Sequence, residues 1–269
     1  MKKDMHMHTS FSDGQYFPEE ILKKIGEAGI TEFAITDHDN IDGAIKMQKL
    51  VENLNVKFHV GVEISSRITE LGLNVHLLCY DFDVHNKKVL QIIDELKQKR
   101  IHKLDLMIDF VEKHFGYRIT EEEKQKLIEE NNVVGKPHIC AFLSTKINFE
   151  TESFYKVMNG FKSADFKVDA KKVINAFHDA GGVVVLAHPI EIEDEYKIDS
   201  FPAIKFLKDK GLDGLETHHT KHSKKDIQRF SVIAKNLNLF ESFGSDFHGE
   251  KIKPNIKLGM SEKPENLVK

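Results

Sequence analysis

The sequence predicts an α/β protein: a barrel built largely of parallel strands, interrupted by an all-helical insertion. Three observations carry this. Short apolar runs of strand length alternate with helix-length amphipathic segments in both outer parts of the 269-residue chain, as in parallel sheets with helical crossovers. Between them, residues 84–165 show helical periodicity and no strand run. Histidines and carboxylates stand at the ends of the strand-like runs, where barrel enzymes place their chemistry because the βα loops converge there. The expected organisation is a barrel of residues 1–83 and 166–269, with the insertion 84–165 entering after a strand and covering the mouth.

Lys3–His8 reads as the first strand. Pro18 fits a first helical turn, Ile21, Leu22, Ile25 and Ala28 form a helical stripe, and Gly29 stops it. Glu32–Thr36 is the next strand, Ile41–Leu54 a helix, and Val56–Val62 and Asn74–Tyr80 two further strands. A long helix spans Lys87 to Phe115 on the stripe Leu90, Ile93, Leu96, Leu104, Ile108 and Val111, and Gly116 ends it. Helices follow at Glu121–Glu130, Lys136–Lys146 and Thr151–Met158. Alternation resumes with a helix from Asp169 to Ala180, a Gly181-Gly182 turn and the strand Val183–Ala187. It continues through the helix Phe201–Lys210, the strand Gly214–Thr217, the helix Lys224–Asn236 and the strand Leu239–Gly244.

Composition narrows the function classes. With 40% hydrophobic and 30% charged residues, the chain is an ordinary globular protein. Its net charge of −4 argues against coating long nucleic acid by charge alone, and leaves small phosphate esters or short oligonucleotide ends as compatible substrates. The first residues run into a histidine motif without an apolar secretion segment, so a cytoplasmic protein is expected. Cys79 and Cys140 lie far apart and are expected as reduced structural thiols.

The chemistry-bearing residues are His6, His8, Asp13, His38, Glu63, His76, His188, Asp246 and His248. Residues two apart on a strand share a face, so His6 with His8, and Asp246 with His248, can each offer two donors to one ion. Imidazole and carboxylate without thiolate suit Mn²⁺, Zn²⁺ or Fe²⁺, and nine donors exceed the capacity of one ion, so two or three are implied. Singly, a His-Pro pair or a strand glutamate is more often packing; jointly, metal binding is the stronger reading. Asp37 and Asp39 read as supporting or capping carboxylates, and His59, His85, His102, His114 and His178 as structural or solvated, with His138 left open.

The stretches His6-Met-His-Thr-Ser-Phe-Ser-Asp13-Gly14, Ile35-Thr-Asp-His38-Asp39, Gly61-Val-Glu63-Ile64, Val75-His76-Leu-Leu, Leu186-Ala-His188-Pro189 and Gly244-Ser-Asp246-Phe-His248-Gly249 resemble, in order, the motifs of the PHP (polymerase and histidinol phosphatase) superfamily. The resemblance is nearest to stand-alone bacterial phosphoesterases, which include nucleoside 3′,5′-bisphosphate phosphatases and 5′-to-3′ exoribonucleases. It implies a distorted (β/α)7 TIM-like barrel and a trinuclear site: His6, His8, Glu63 and Asp246 on one ion, Glu63, His76 and His188 on a second, and Asp13, His38 and His248 on a third. It also implies a phosphoric ester hydrolase acting on nucleotides or short RNA or DNA by attack of a metal-bridging hydroxide, with Glu63, Asp246 and His222 as catalytic residues. His222 is further a candidate substrate contact. The basic residues of the related insertions correspond to Arg100, Lys103 and Lys136, the candidate substrate-binding cations; two are lysines, which hold phosphate as point charges without a bidentate fork. Competing readings are a histidinol-phosphate phosphatase, an amidohydrolase with a carbamate bridge in place of Glu63, and a non-catalytic PHP module, for which loss of motif residues would be the mark.

Overall fold

The computed structural model describes residues 2–130, 134–161 and 166–259. In chain order the elements are β1 (Lys2–Asp4), α1 (Pro18–Ala28), β2 (Ile30–Ile35), α2 (Asp42–Val51), β3 (Lys57–Ile68), β4 (Leu73–Tyr80), α3 (Lys87–Phe115), α4 (Glu121–Glu130), α5 (Lys136–Ser144) and α6 (Thr151–Met158). Then come β5 (Val168–Asp169), α7 (Ala170–Asp179), β6 (Val183–Leu186), α8 (Ile190–Tyr196), α9 (Phe201–Asp209), β7 (Gly214–His219), α10 (Lys224–Asn236) and β8 (Phe240–Gly244). Local chemistry sets the ends. Pro18 opens α1 and Gly29 closes it in the left-handed conformation. Asp169 caps α7 and Ser223 caps α10 through side-chain oxygens that accept backbone N–H groups.

The chain forms two compact units, Met1–Ile93 with Lys167–Lys269, and Asp94–Phe166. In the first, one mixed sheet runs β1-β2-β3-β4-β6-β7-β8, with β5 paired to β3. The pairs β1/β2, β2/β3, β6/β7 and β7/β8 are parallel, as helical crossovers dictate. By contrast β3/β4 and β4/β6 are antiparallel, so β4 alone is reversed in an otherwise parallel sheet. The reason is the short link from Ile68 to Leu73, too brief for a crossover, which folds β4 back on β3. At the other end of the sheet path, Met5 donates its N–H to the Phe243 carbonyl at 3.3 Å, Asp246 to His6 at 2.8 Å and His8 to Phe247 at 2.9 Å. The segment after β1 therefore lies between β2 and β8, although its ladder is shorter than the expected Lys3–His8 strand.

The second unit carries its own core, in which Leu104, Met107, Val111, Leu143, Phe154 and Met158 are buried. Along α3 the buried stripe begins at Val89 and Ile92, while Leu90 is 43% exposed. The expected stripe misplaced the first turn because its steps of three residues, Leu90 to Ile93 to Leu96, each fall about 60° short of a full turn, whereas Val89 and Ile92 lie seven and four residues before Leu96 on one face. No helix among the described residues is long and apolar enough to cross a membrane.

Candidate metal centre and active site

Strand ends bring the expected donors to one place. His6 and His8 follow β1, Asp13 lies in the next turn, His38 follows β2, His188 follows β6, and Asp246 and His248 follow β8. Glu63 instead lies inside β3, because β3 continues past the expected stop at Val62 to pair with β4, and His76 lies inside β4, within the expected strand. Glycines allow the strands to approach. A Cβ at Gly244 would come within 2.2 Å of the His6 Cβ, and one at Gly14 within 2.5 Å of the His8 carbonyl oxygen.

Glu63 is 1% exposed and sits at the middle of the constellation. Its Oε1 faces His188 Nε2 at 2.9 Å and His76 Nδ1 at 3.0 Å. Its Oε2 faces His6 Nε2, His8 Nε2 and His38 Nδ1, each at 3.2 Å. Asp246 Oδ1 adds contacts of 3.4 Å to His8 Nε2 and 3.6 Å to His6 Nε2. On the third side, Asp13 reaches His248 Nε2 at 3.2 Å and His38 Nε2 at 3.8 Å. The nine expected residues thus lie together, and close-set donor atoms among the described residues group as His6, His8 and Glu63, as His38, Glu63 and His76, as His76, His188 and Glu191, and as His8, Asp13, His38 and His248.

Several observations fit divalent cations among these atoms. Donors about 2.0–2.2 Å from one ion lie roughly 3.0–3.5 Å from each other, the spacing found here. Buried nitrogens His8 Nε2, His38 Nδ1 and His76 Nδ1 have no hydrogen-bond partner although carboxylate oxygens lie close, so they approach off the hydrogen-bonding line. The electrostatics also demand positive charge. Burial opposes protonation of His8, but the carboxylates of Asp246, Glu63 and Asp13 beside it outweigh that and push the ring up to about 9. Burial likewise opposes charge on His6, yet Glu216 and Glu63 hold it well above its ordinary value. For Glu63 itself, burial favours the neutral acid, and the imidazoles of His38, His6 and His76 overcome that to hold it well below the carboxylate range. Three site residues adopt positive φ: His188 at 25°, Asp39 at 54° and Asp246 at 56°. Non-glycine residues seldom take this conformation, which costs of order 1–3 kcal/mol and concentrates at functional positions.

Sequence reasoning missed the supporting shell. Glu216 on β7 is fully buried, accepts from His6 Nδ1 at 3.0 Å and from the His188 backbone N–H at 2.7 Å, and so aims both Nε2 atoms at Glu63. Glu191 lies 3.1 Å from His188 Nδ1, and His248 Nδ1 donates to the Asp246 carbonyl at 2.9 Å. An acid inside an apolar strand, and the i,i+3 spacing of His188 to Glu191, were the available signals. His219 and Lys253, both beside Asp246, gave none. Asp37 and Asp39 play the supporting parts expected: Asp37 accepts from Thr9 and Ser12, and Asp39 from the Ser65 N–H. His222 is 8% exposed, donates from Nδ1 to the Thr217 carbonyl at 2.8 Å and leaves Nε2 buried, while burial lowers its pKa to about 4. Arg100, Lys103 and Lys136 all belong to the helical unit, where Arg100 and Lys103 lie over the Phe166 ring at 5.4 and 4.1 Å.

The sequence model of the PHP domain matches residues 4–132. A phosphoribosyl 1,2-cyclic phosphate 1,2-diphosphodiesterase of Eggerthella lenta is 26% identical over 260 residues, covering 93% of this chain and 95% of its own. A 5′-3′ exoribonuclease of Haemophilus influenzae is 27% identical over 252 residues, covering 92% and 90%. Among solved structures, a metal-dependent phosphoesterase assignment from Bifidobacterium adolescentis superposes with a TM-score of 0.77 at 25% identity, over 99% of this chain and 92% of that one. The match to the PHP domain thus covers the part of the chain that carries His6, His8, Asp13, His38, Glu63 and His76. With a PHP domain match and its expected donors gathered in one centre, the chain is a metal-dependent phosphoester hydrolase.

Proposed function

We propose that the chain hydrolyses phosphate esters carried on the ribose of a nucleotide, such as nucleoside 3′,5′-bisphosphates or the 5′ ends of short oligonucleotides, using three divalent ions. The observation that carries this reading is Glu63, whose two oxygens each face a separate set of imidazole nitrogens, as a carboxylate shared between ions requires. The relatives support the substrate class, since both names describe phosphate esters of ribose compounds. Mn²⁺, Zn²⁺ or Fe²⁺ held here would neutralise phosphate charge and supply a hydroxide nucleophile at neutral pH. His6, His8, Glu63 and Asp246 would hold the first ion, Glu63, His76 and His188 the second, and Asp13, His38 and His248 the third. Glu216 and Glu191 keep the ring protons on the far nitrogens of His6 and His188, leaving the near ones as donors. His222 carries its proton on Nδ1, so its Nε2 is an acceptor, which suits contact with a substrate hydroxyl better than protonation of the leaving group. Substrate choice is assigned to residues 84–165, through Arg100, Lys103 and Lys136.

The hydrogen bonds between the segments beyond β1 and β8 support a distorted (β/α)7 barrel for the mixed sheet. Two buried free thiols, Cys79 and Cys140, support a cytoplasmic setting. The test is phosphate release by metal-analysed protein from a nucleoside 3′,5′-bisphosphate, a short 5′-phosphorylated RNA, a ribose cyclic phosphate and histidinol phosphate. Metal-dependent turnover of the ribose esters is expected. Turnover of histidinol phosphate alone, or of none by fully loaded protein, would overturn the reading.

A further inference from the structure

Asp246 divides its carboxylate between two sides. Oδ1 faces His8 Nε2, His248 Nδ1 and His6 Nε2 at 3.4, 3.3 and 3.6 Å. Oδ2 faces the ammonium of Lys253 at 2.6 Å and His219 Nε2 at 3.5 Å. The Lys253 side chain is 28% exposed and that of Asp246 is 6%, so the ammonium stands where the buried donors meet solvent. Its backbone is fixed. Lys253 and Ile252 both donate to the Gly249 carbonyl, at 2.9 and 3.1 Å, and Gly249 adopts φ 101°. A Cβ at Gly249 would come within 2.4 Å of Gln15, so this turn packs against the loop that carries Asp13.

An ammonium on a carboxylate that also ligates a cation leaves a local excess of positive charge, because one negative group then faces two positive ones. An anion beside both restores the balance. Lysine suits an anion that rearranges, since its compact ammonium turns three donors freely and can follow the phosphoryl oxygens as phosphorus inverts, whereas a planar guanidinium would favour one arrangement. We propose that Lys253 is a substrate-binding residue that holds the scissile phosphate beside the metal ligands; this rests on the phosphoesterase reading given above. Among the described residues it supplies this charge from the same unit that carries Asp246 and Glu63, independently of the cations at residues 100, 103 and 136.

The test uses the metal-loaded protein with inorganic phosphate as probe, measured by calorimetry and as an inhibitor of 4-nitrophenyl phosphate hydrolysis. Lys253→Met should keep the wild-type metal content and weaken phosphate binding by about ten- to a hundredfold. Lys253→Arg should recover part of that loss, and Lys251→Met, which removes a charge from the same turn, should leave binding within about twofold. Unchanged phosphate affinity in Lys253→Met overturns the proposal. So does loss of metal with affinity per loaded site intact, which would make Lys253 a positioning residue for Asp246. Should Lys253→Met not fold, Lys253→Gln carries the same comparison. Wild-type protein that is fully loaded, binds phosphate and cleaves no ester would count against the phosphoesterase reading while leaving the Lys253 measurement decisive.

Discussion

Replacing Glu63 by glutamine keeps the shape of the side chain and removes the charge shared by two donor groups. Its Oε1 has nitrogens at 2.9 and 3.0 Å and its Oε2 has three at 3.2 Å, so one substitution weakens both groups together. Losing a partner that merely orients a ligand costs 10–100-fold in metal affinity, so losing a direct carboxylate donor should cost at least about 100-fold per ion, or roughly 2.8 kcal/mol. The apo fold should survive. His6 and His8 owe part of their raised pKa to Glu63, and without it they can shed protons rather than retain buried charge. Elemental analysis after dialysis against fixed free metal, together with phosphate release, reads the outcome. Expected are loss of the first two ions together, a folded protein by circular dichroism, and turnover at background. Wild-type occupancy with wild-type turnover would refute the shared-carboxylate reasoning.

Asp13→Asn or His248→Ala should deplete the third ion selectively, since both residues group with His38 and His8 away from Glu63 Oε1; anomalous diffraction would show which ions remain. Replacing Arg100 or Lys136 by alanine should lower kcat/KM for a nucleoside 3′,5′-bisphosphate by roughly 1.5–3 kcal/mol at unchanged metal content, and affect an aryl phosphate little. Gly244→Ala should prevent the close approach to His6, whose Cβ would lie 2.2 Å from the new methyl, and be read as loss of soluble protein or of bound metal. Burial opposes ionisation of Glu32, but hydrogen bonds from Lys3, Lys57 and His59 hold its carboxyl at about 2, below the ordinary 4.5. Its stabilising contribution is therefore present above about pH 4.5 and lost as pH falls towards 2. Urea midpoints across that window should fall less steeply for Glu32→Gln than for wild type.

The donors were legible because the period of two along a strand is a local rule: His6-x-His8 and Asp246-x-His248 announce a shared face without knowledge of the fold. Helix boundaries were legible for a similar reason, as with Pro18 and Gly29 around α1. Pairing direction was not, since β3 and β4 both read as strands whichever way they run, and the brevity of the link between them had to be weighed against the alternation elsewhere. Nor was the supporting shell, because Glu216 reaches His6 across 210 positions and Lys253 meets Asp246 only through the turn at Gly249. Sequence spacing reports which side chains share an element; it does not report which neighbouring elements deliver the second partner of an imidazole.

The same shell explains how so costly an arrangement can persist. Burying His6, His8, Glu63, Asp246 and Glu216 removes charged or polar groups from water, and His188, Asp39 and Asp246 add backbone strain. Hydrogen bonds at the far side of each group offset part of this. Glu216 satisfies His6 and the His188 backbone, and Asp37 fixes the loop through Thr9 and Ser12. The near side is different, for His8 Nε2, His38 Nδ1 and His76 Nδ1 remain unpartnered. A rigid outer shell around an unsatisfied inner face is the condition for tight and selective cation binding, since the protein has little left to rearrange when the ion arrives. The raised His6 and His8 express the same demand in protons, which deprotonation must remove before those nitrogens can act as donors.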